Sequence, residues 1–188
     1  MTDIRTVGVI GAGQMGAGIA QVTAQAGYDV ILCDVDLERA QKGLQGISKQ
    51  LARAVEKGKL SPEESEAAFA RIRPSGDLKP LAEAQLVIEA ATEREEIKRS
   101  IFTNVGAMIT PGTILATNTS SIPITRLAQV VPDPALFVGI HFFNPVQVMA
   151  LIELIRGLAT SDTTVATVEA YIARLGKQVV EAFGSPGF

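Results

Sequence analysis

The apolar run Val7-Gly8-Val9-Ile10 leads straight into Gly11-Ala12-Gly13-Gln14-Met15-Gly16, and no other junction in the chain constrains its fold as strongly. A short, uniformly apolar run predicts a parallel strand buried on both faces. The Gly-x-Gly-x-x-Gly stretch predicts a tight turn that opens a helix, read over Ala17 to Ala26 and stopped by Gly27. Tyr28 to Cys33 then supply a second apolar strand ending at Asp34. Together these form a right-handed βαβ unit of about 30 residues. A glycine-rich turn alone is a common feature. The strand before it, the helix after it and an acid 23 residues beyond Gly11 make it a dinucleotide fingerprint. Gly11 permits the turn, Gly13 lets backbone N–H groups approach a pyrophosphate, and Gly16 allows close helix–strand packing. Gln14 and Met15, between them, count with the same cofactor-binding group at the positive end of the helix. Asp34 can accept bonds from both adenosine ribose hydroxyls and would repel a 2′-phosphate, which favours NAD(H) over NADP(H). The competing reading is a plain glycine turn with Asp34 or Asp36 as a helix cap.

Downstream, a long helix is predicted from about Asp36 to Lys57. Ser61-Pro62-Glu63-Glu64 follows, with Ser as N-cap, Pro at the first helical position and Glu64 completing a capping box. Residues 36 to 70 therefore read as a helical hairpin inserted after the second strand. Strands follow near Ile72 and at Leu86 to Ala90, then a helix from Arg94 to Ile109 and a strand from Thr113 to Thr117. A short helix (Ile124 to Val130), strands at Leu136 to Phe142 and Ala150 to Ile155, a helix from Thr163 to Leu175 and a strand at Gln178 to Glu181 complete the order. This alternation predicts an α/β, Rossmann-like, doubly wound and mostly parallel sheet with a helical hairpin insertion.

Composition narrows the chemistry. The 188 residues carry a net charge of −3, without the basic footprint of a nucleic-acid binder. The lone cysteine, Cys33, rules out an internal disulfide and a Cys-cluster metal site, and the lone histidine, His141, rules out a multi-His zinc site. No apolar run reaches ~18 residues, so no membrane helix is expected. The sequence-based expectation is a soluble, cytoplasmic protein that binds neither nucleic acid nor membrane.

Reaction type must be sought after residue 90, because a Rossmann half carries a cofactor and not a chemistry. Three segments stand out there: Ala116-Thr117-Asn118-Thr119-Ser120-Ser121, Gly139-Ile140-His141-Phe142-Phe143-Asn144-Pro145 and Met149-Ala150-Leu151-Ile152-Glu153-Leu154. His141 ends an apolar strand, at the carboxyl edge where open α/β sheets bind ligands. An imidazole suits removal of an alcohol proton near neutral pH. If the strands around 141 and 153 turn about Gln147, His141 and Glu153 pair directly across an antiparallel ladder. There a carboxylate would fix the tautomer and stabilise the imidazolium. The bland alternatives are a core histidine, a Glu153 facing water from an edge strand, and turn-forming roles for Ser120, Ser121 and Asn144.

With the fingerprint, Asn-Thr-Ser-Ser and His-Phe-Phe-Asn-Pro in this order, the chain resembles the NAD-binding domain of 3-hydroxyacyl-CoA dehydrogenases over essentially its whole length. The resemblance implies His141 as catalytic base, Glu153 as its orienting partner and Ser120 as a hydrogen-bond donor to the substrate oxygen. It places Asn144 near the nicotinamide and Glu93, Lys98 and Asn118 among the cofactor contacts. It also implies NAD as cofactor and an acyl-CoA as substrate. In the family the helical hairpin contributes to CoA binding. Here Lys49, Arg53 and Lys57 form a basic stripe at i, i+4 and i+8, with Lys57 the best candidate and a solvated charged face the alternative. The resemblance further implies a domain over residues 1–184, with 185–188 opening a linker into an absent C-terminal helical domain that carries much of a homodimer interface. Two other functions stay open at this point: a catalytically silent NAD-binding module, and a 3-hydroxy acid dehydrogenase that does not use CoA.

Overall fold

The computed structural model describes residues 2–183; Gly184 and the expected linker at 185–188 lie outside the described residues. Strand β1 (Thr6–Ile10) leads into helix α1 (Gln14–Gln25), followed by β2 (Asp29–Cys33), α2 (Leu37–Glu56), α3 (Pro62–Ala70) and β3 (Ile72–Ser75). The second half holds β4 (Leu86–Glu89), α4 (Glu95–Gly106), β5 (Ile114–Thr117), α5 (Ile124–Leu127), β6 (Phe137–Phe142), β7 (Leu151–Arg156), α6 (Asp162–Arg174) and β8 (Gln178–Phe183). All eight strands form one sheet in the order β3-β2-β1-β4-β5-β6-β7-β8. Every neighbouring pair is parallel except β6 and β7. The chain leaves β1 in one direction to make β2 and β3 and in the other to make β4 onwards. The crevice above that reversal, at the carboxyl ends of β1 and β4, is where such sheets place ligands.

Burial explains the strand composition. Val7, Val9, Leu32, Ile140 and Leu154 belong to one hydrophobic core, under α1 and α6, together with Ile19 and Ile172. Ile10, Ile31, Val87, Leu115 and Ile155 belong to a second core on the opposite face, with Phe102 and Phe137. A strand covered on both sides has no polar face to show, so its sequence reads as a continuous apolar run.

The predicted hairpin α2–α3 forms with its signals intact. Asp36 Oδ1 accepts from Arg39 N–H at 2.8 Å, and the Ser61–Glu64 capping box closes at 3.1 and 3.0 Å. The structure departs from the sequence reading mainly at element ends. Helix α1 begins at Gln14 rather than Ala17, because Gly13 takes an extended conformation and acts as the N-cap. Helix α4 stops at Gly106, and the expected helix over 124–130 splits into α5 and a 3₁₀ turn at Ala128–Val130. A 3₁₀ segment at Lys79–Glu83 has no helical period in the sequence, since five residues around Pro80 are too few to show one.

Candidate active site

The glycine turn is shaped by backbone packing. Gly11 has a φ of +102°, and a Cβ there would lie 2.7 Å from the Ala90 carbonyl oxygen. A Cβ on Gly16 would sit 1.6 Å from the Gly11 carbonyl oxygen, so only hydrogen fits at either position. Gly13 is exposed, with nothing within 4 Å of the position its Cβ would take. It caps α1 without a side-chain hydrogen bond, which leaves the first-turn N–H groups open to an anion. Asp34 is half-buried, and its Oδ2 accepts from Ala12 N–H at 2.8 Å while Oδ1 accepts from Val35 N–H at 2.7 Å. The acid thus ties the glycine turn to the end of β2 as well as facing the groove beside it. That groove, of about 450 Å³, is lined by Ala12, Gly13, Gln14, Asp34, Arg39 and Lys42 among others. Met15 is half-buried against the core. Open N–H groups next to a carboxylate with acceptor capacity to spare fit a dinucleotide's pyrophosphate and adenosine ribose. Among the described residues no cluster of His, Cys, Asp and Glu could hold a metal.

The second half brings the expected pair together. His141 and Glu153 are register partners across the antiparallel β6–β7 ladder, and both are half-buried. Directly opposed residues share a sheet face, so both side chains stand on one side at the carboxyl edge of β6. The His141 ring packs at 4.7 Å from the Phe143 ring, centroid to centroid. Beyond them the chain turns through a cis Asn144–Pro145 bond and a loop in which Val148 and Met149 N–H donate to the Pro145 carbonyl. Asn144 is exposed on that turn.

Two contacts seat this hairpin on the cofactor half. Val146 packs so closely on α1 that a Cβ at Gly18 would approach it to 2.9 Å, and Gln147 Nε2 donates to Gln21 Oε1 at 3.1 Å. Lys177 Nζ donates to the carbonyls of Val146 and Met149 at 2.7 and 2.6 Å, and partial burial holds its pKa below the usual lysine value. This clamp was invisible in the sequence, where Lys177 is one lysine after a helix.

The Asn-Thr-Ser-Ser segment is organised from below. Asn118 N–H donates to the Glu89 carbonyl at 2.8 Å, and its Oδ1 accepts from Phe142 N–H at 2.8 Å, joining the ends of β4, β5 and β6. Glu93 accepts from the hydroxyls of Thr119 and Ser121, both at 3.0 Å. Both serines are exposed, and Ser121 is the one engaged with Glu93. The Lys98 side chain is fully buried, with Nζ 2.6 Å from Glu89 Oε1. Lys57 is exposed at the C-cap of α2. It stands at the far end of a 20-residue helix from Asp34, about 30 Å away by helical rise.

With this geometry in place, the likeness to known proteins is specific. The family model described as "3-hydroxyacyl-CoA dehydrogenase, NAD binding domain" matches residues 6–185. The chain belongs to this family. It is 49% identical over 185 residues to a 3-hydroxybutyryl-CoA dehydrogenase of Bradyrhizobium diazoefficiens, covering 98% of this chain and 63% of that protein. A 3-hydroxyadipyl-CoA dehydrogenase of Escherichia coli is 43% identical, with all of this chain and 40% of that protein covered. The crystal structure of (S)-3-hydroxybutyryl-CoA dehydrogenase from Ralstonia eutropha superimposes with a TM-score of 0.96 at 47% identity, over 99% of this chain and 66% of that one. The chain therefore spans less than two-thirds of the length of relatives such as these. The cofactor the family binds, NAD, is the one that the groove at Asp34 fits.

Proposed function

We propose that the protein catalyses NAD-dependent oxidation of an L-3-hydroxyacyl-CoA to the 3-ketoacyl-CoA, or the reverse reduction. The observation that carries this reading is the His141–Glu153 pair, opposed across β6 and β7 at the sheet edge beside the dinucleotide turn. NAD, when bound, supplies the hydride acceptor. His141 takes the 3-hydroxyl proton as the C3–H bond yields its hydride, so a ketone and an imidazolium remain. Glu153 orients the ring and stabilises that imidazolium. The exposed Ser120 hydroxyl donates to the substrate oxygen, on a loop that Glu93 secures through Thr119 and Ser121. In the reduction His141 returns the proton. The basic stripe ending at Lys57 is proposed to attract the CoA phosphates.

The substrate class follows the relatives' names, and we take the part of their length that this chain does not span to be a further C-terminal segment of the whole protein. Val148, Met149 and Leu151, exposed beside the site hairpin, form a face that such a segment would cover. We place the whole protein in the cytoplasm as a homodimer joined through that segment. The test is turnover of acetoacetyl-CoA by the full-length protein, followed by NADH absorbance. His141→Ala should lower the rate by about 10²- to 10⁴-fold while NADH binding is retained. Undiminished turnover would defeat the assignment.

A further inference from the structure

Lys177 lies between α6 and β8. It is not among the groups that the proposed chemistry uses, yet its side chain reaches the loop joining the two strands of the site. We infer that Lys177 is a positioning residue: it holds the tip of the β6–β7 hairpin against α1 and so fixes the distance between the His141–Glu153 pair and the dinucleotide turn. The inference rests on the dehydrogenase reading.

Residues 143–150 connect β6 to β7. Within them the N–H groups of Val148 and Met149 both donate to the Pro145 carbonyl. The carbonyls of Val146 and Met149 accept instead from Lys177 Nζ, at 2.7 and 2.6 Å. Two acceptors on one loop call for a long side chain with more than one donor, and an ammonium has three. Among the described residues no carboxylate pairs with this cation, so its charge is directed at the loop. The neighbouring bond, from Gln178 N–H to the Ala150 carbonyl at 2.8 Å, is backbone alone, and any residue there would make it. Val146 is held from the other side as well. Its buried side chain meets α1 at Gly18, where a Cβ would approach it to 2.9 Å, and Gln147 Nε2 donates to Gln21 Oε1 at 3.1 Å. Gly18 and Gln21 belong to the helix that opens at Gln14 beside the fingerprint. The rise of a helix is fixed, so a tip seated on α1 is placed relative to the end that faces the pyrophosphate. The sheet itself does not depend on this clamp. Residues 138–142 pair with 152–156 across β6 and β7, and β8 pairs along the whole of β7. Loss of Nζ therefore leaves the ladder closed and the tip able to slide, and reacting groups misplaced by about 1 Å can lose about 10²-fold in rate.

The test uses the full-length protein, with acetoacetyl-CoA reduction for kcat, fluorescence titration with NADH for cofactor binding and the thermal midpoint for the fold. Lys177→Met keeps the apolar stem and removes the donors. It should lower kcat about ten- to a hundredfold, with the NADH dissociation constant within about threefold of the parent and the midpoint within a few degrees. Lys177→Arg keeps the charge and several donors and should recover at least about a third of the parent kcat, a rescue that filling space alone does not predict. A kcat within about twofold of the parent in Lys177→Met, a loss matched by weaker NADH binding, or no recovery in Lys177→Arg overturns the inference. Should Lys177→Met not fold, Lys177→Gln, which keeps fewer donors, decides. Faster hydrogen exchange at the Val148 and Met149 amides together with slower turnover supports the role, and either one unchanged overturns it. A parent that reduces no acetoacetyl-CoA defeats the dehydrogenase reading itself, whereas losses confined to the Lys177 variants bear on the positioning role alone.

Discussion

At the β1–α1 turn, backbone meets backbone: a single carbon added to Gly16 would sit 1.6 Å from a carbonyl oxygen, and Asp34 fastens the turn with one carboxylate oxygen, through the Ala12 amide. At the β6–β7 hairpin the functional groups are side chains, half-buried and set opposite each other by register. The tip of that hairpin is held by Lys177, by Gln147 and by the packing of Val146 on α1. The first region has almost no room to change shape without losing the fold. The second can lose a functional atom and keep its frame. On the proposed reading, cofactor binding and catalysis are thus separable in this domain by the kind of contact that supports them.

The contrast is sharpest at Gly16. Gly16→Ala should destabilise the domain by about 3 kcal/mol or more, since a backbone oxygen cannot yield as a side chain does. That corresponds to a fall of about 6–12 °C in thermal midpoint for a domain of this size. An unchanged midpoint would mean that the turn has slack the geometry denies. In the other region, Glu153→Gln should slow turnover of the full-length protein by about ten- to a hundredfold, the value of a hydrogen bond to a charged group. Its midpoint should stay within a few degrees of the parent. If stability collapsed with activity, Glu153 would be holding the fold and the contrast would disappear.

The smallest effect concerns Cys33, at the edge of the first region. Burial pushes its thiol up from 9.0 to about 12, and burial raises Tyr171 and Tyr28 in the same direction. For a group raised in the fold, the stabilisation is complete below the unfolded-state pKa and is lost as pH rises towards the folded value. Midpoints should therefore decline in the alkaline window between 9.0 and about 12, and less steeply in Cys33→Ala. The native thiol should resist alkylation near neutral pH and react once the chain is unfolded. Prompt alkylation of the native protein would show that the packing around Cys33 opens.

Much of this was legible in the sequence, and the reason differs by region. The fingerprint, the capping box at Ser61 and the strand pattern are local, so each is written in consecutive residues. The His141–Glu153 pairing is long-range but regular, because a ladder turning about Gln147 fixes it by symmetry. What escaped notice depends on which way a side chain turns in three dimensions. Glu89 at a strand end and Lys98 on an acidic helix give no sign of one another in the sequence, yet they meet in the interior. The Lys177 clamp on the hairpin loop joins segments that only the closed sheet brings together. Asp34 was marked by its spacing from the fingerprint, but its bond to the Ala12 amide required coordinates.

That bond has a consequence for redesign. If the acid also discriminates the coenzyme, as proposed, then because it braces the loop beneath it it cannot be exchanged for a neutral or basic residue in isolation. Altering nucleotide preference at this strand terminus would call for a surrogate acceptor for the Ala12 amide in the same step, so selectivity and rigidity have to be engineered together.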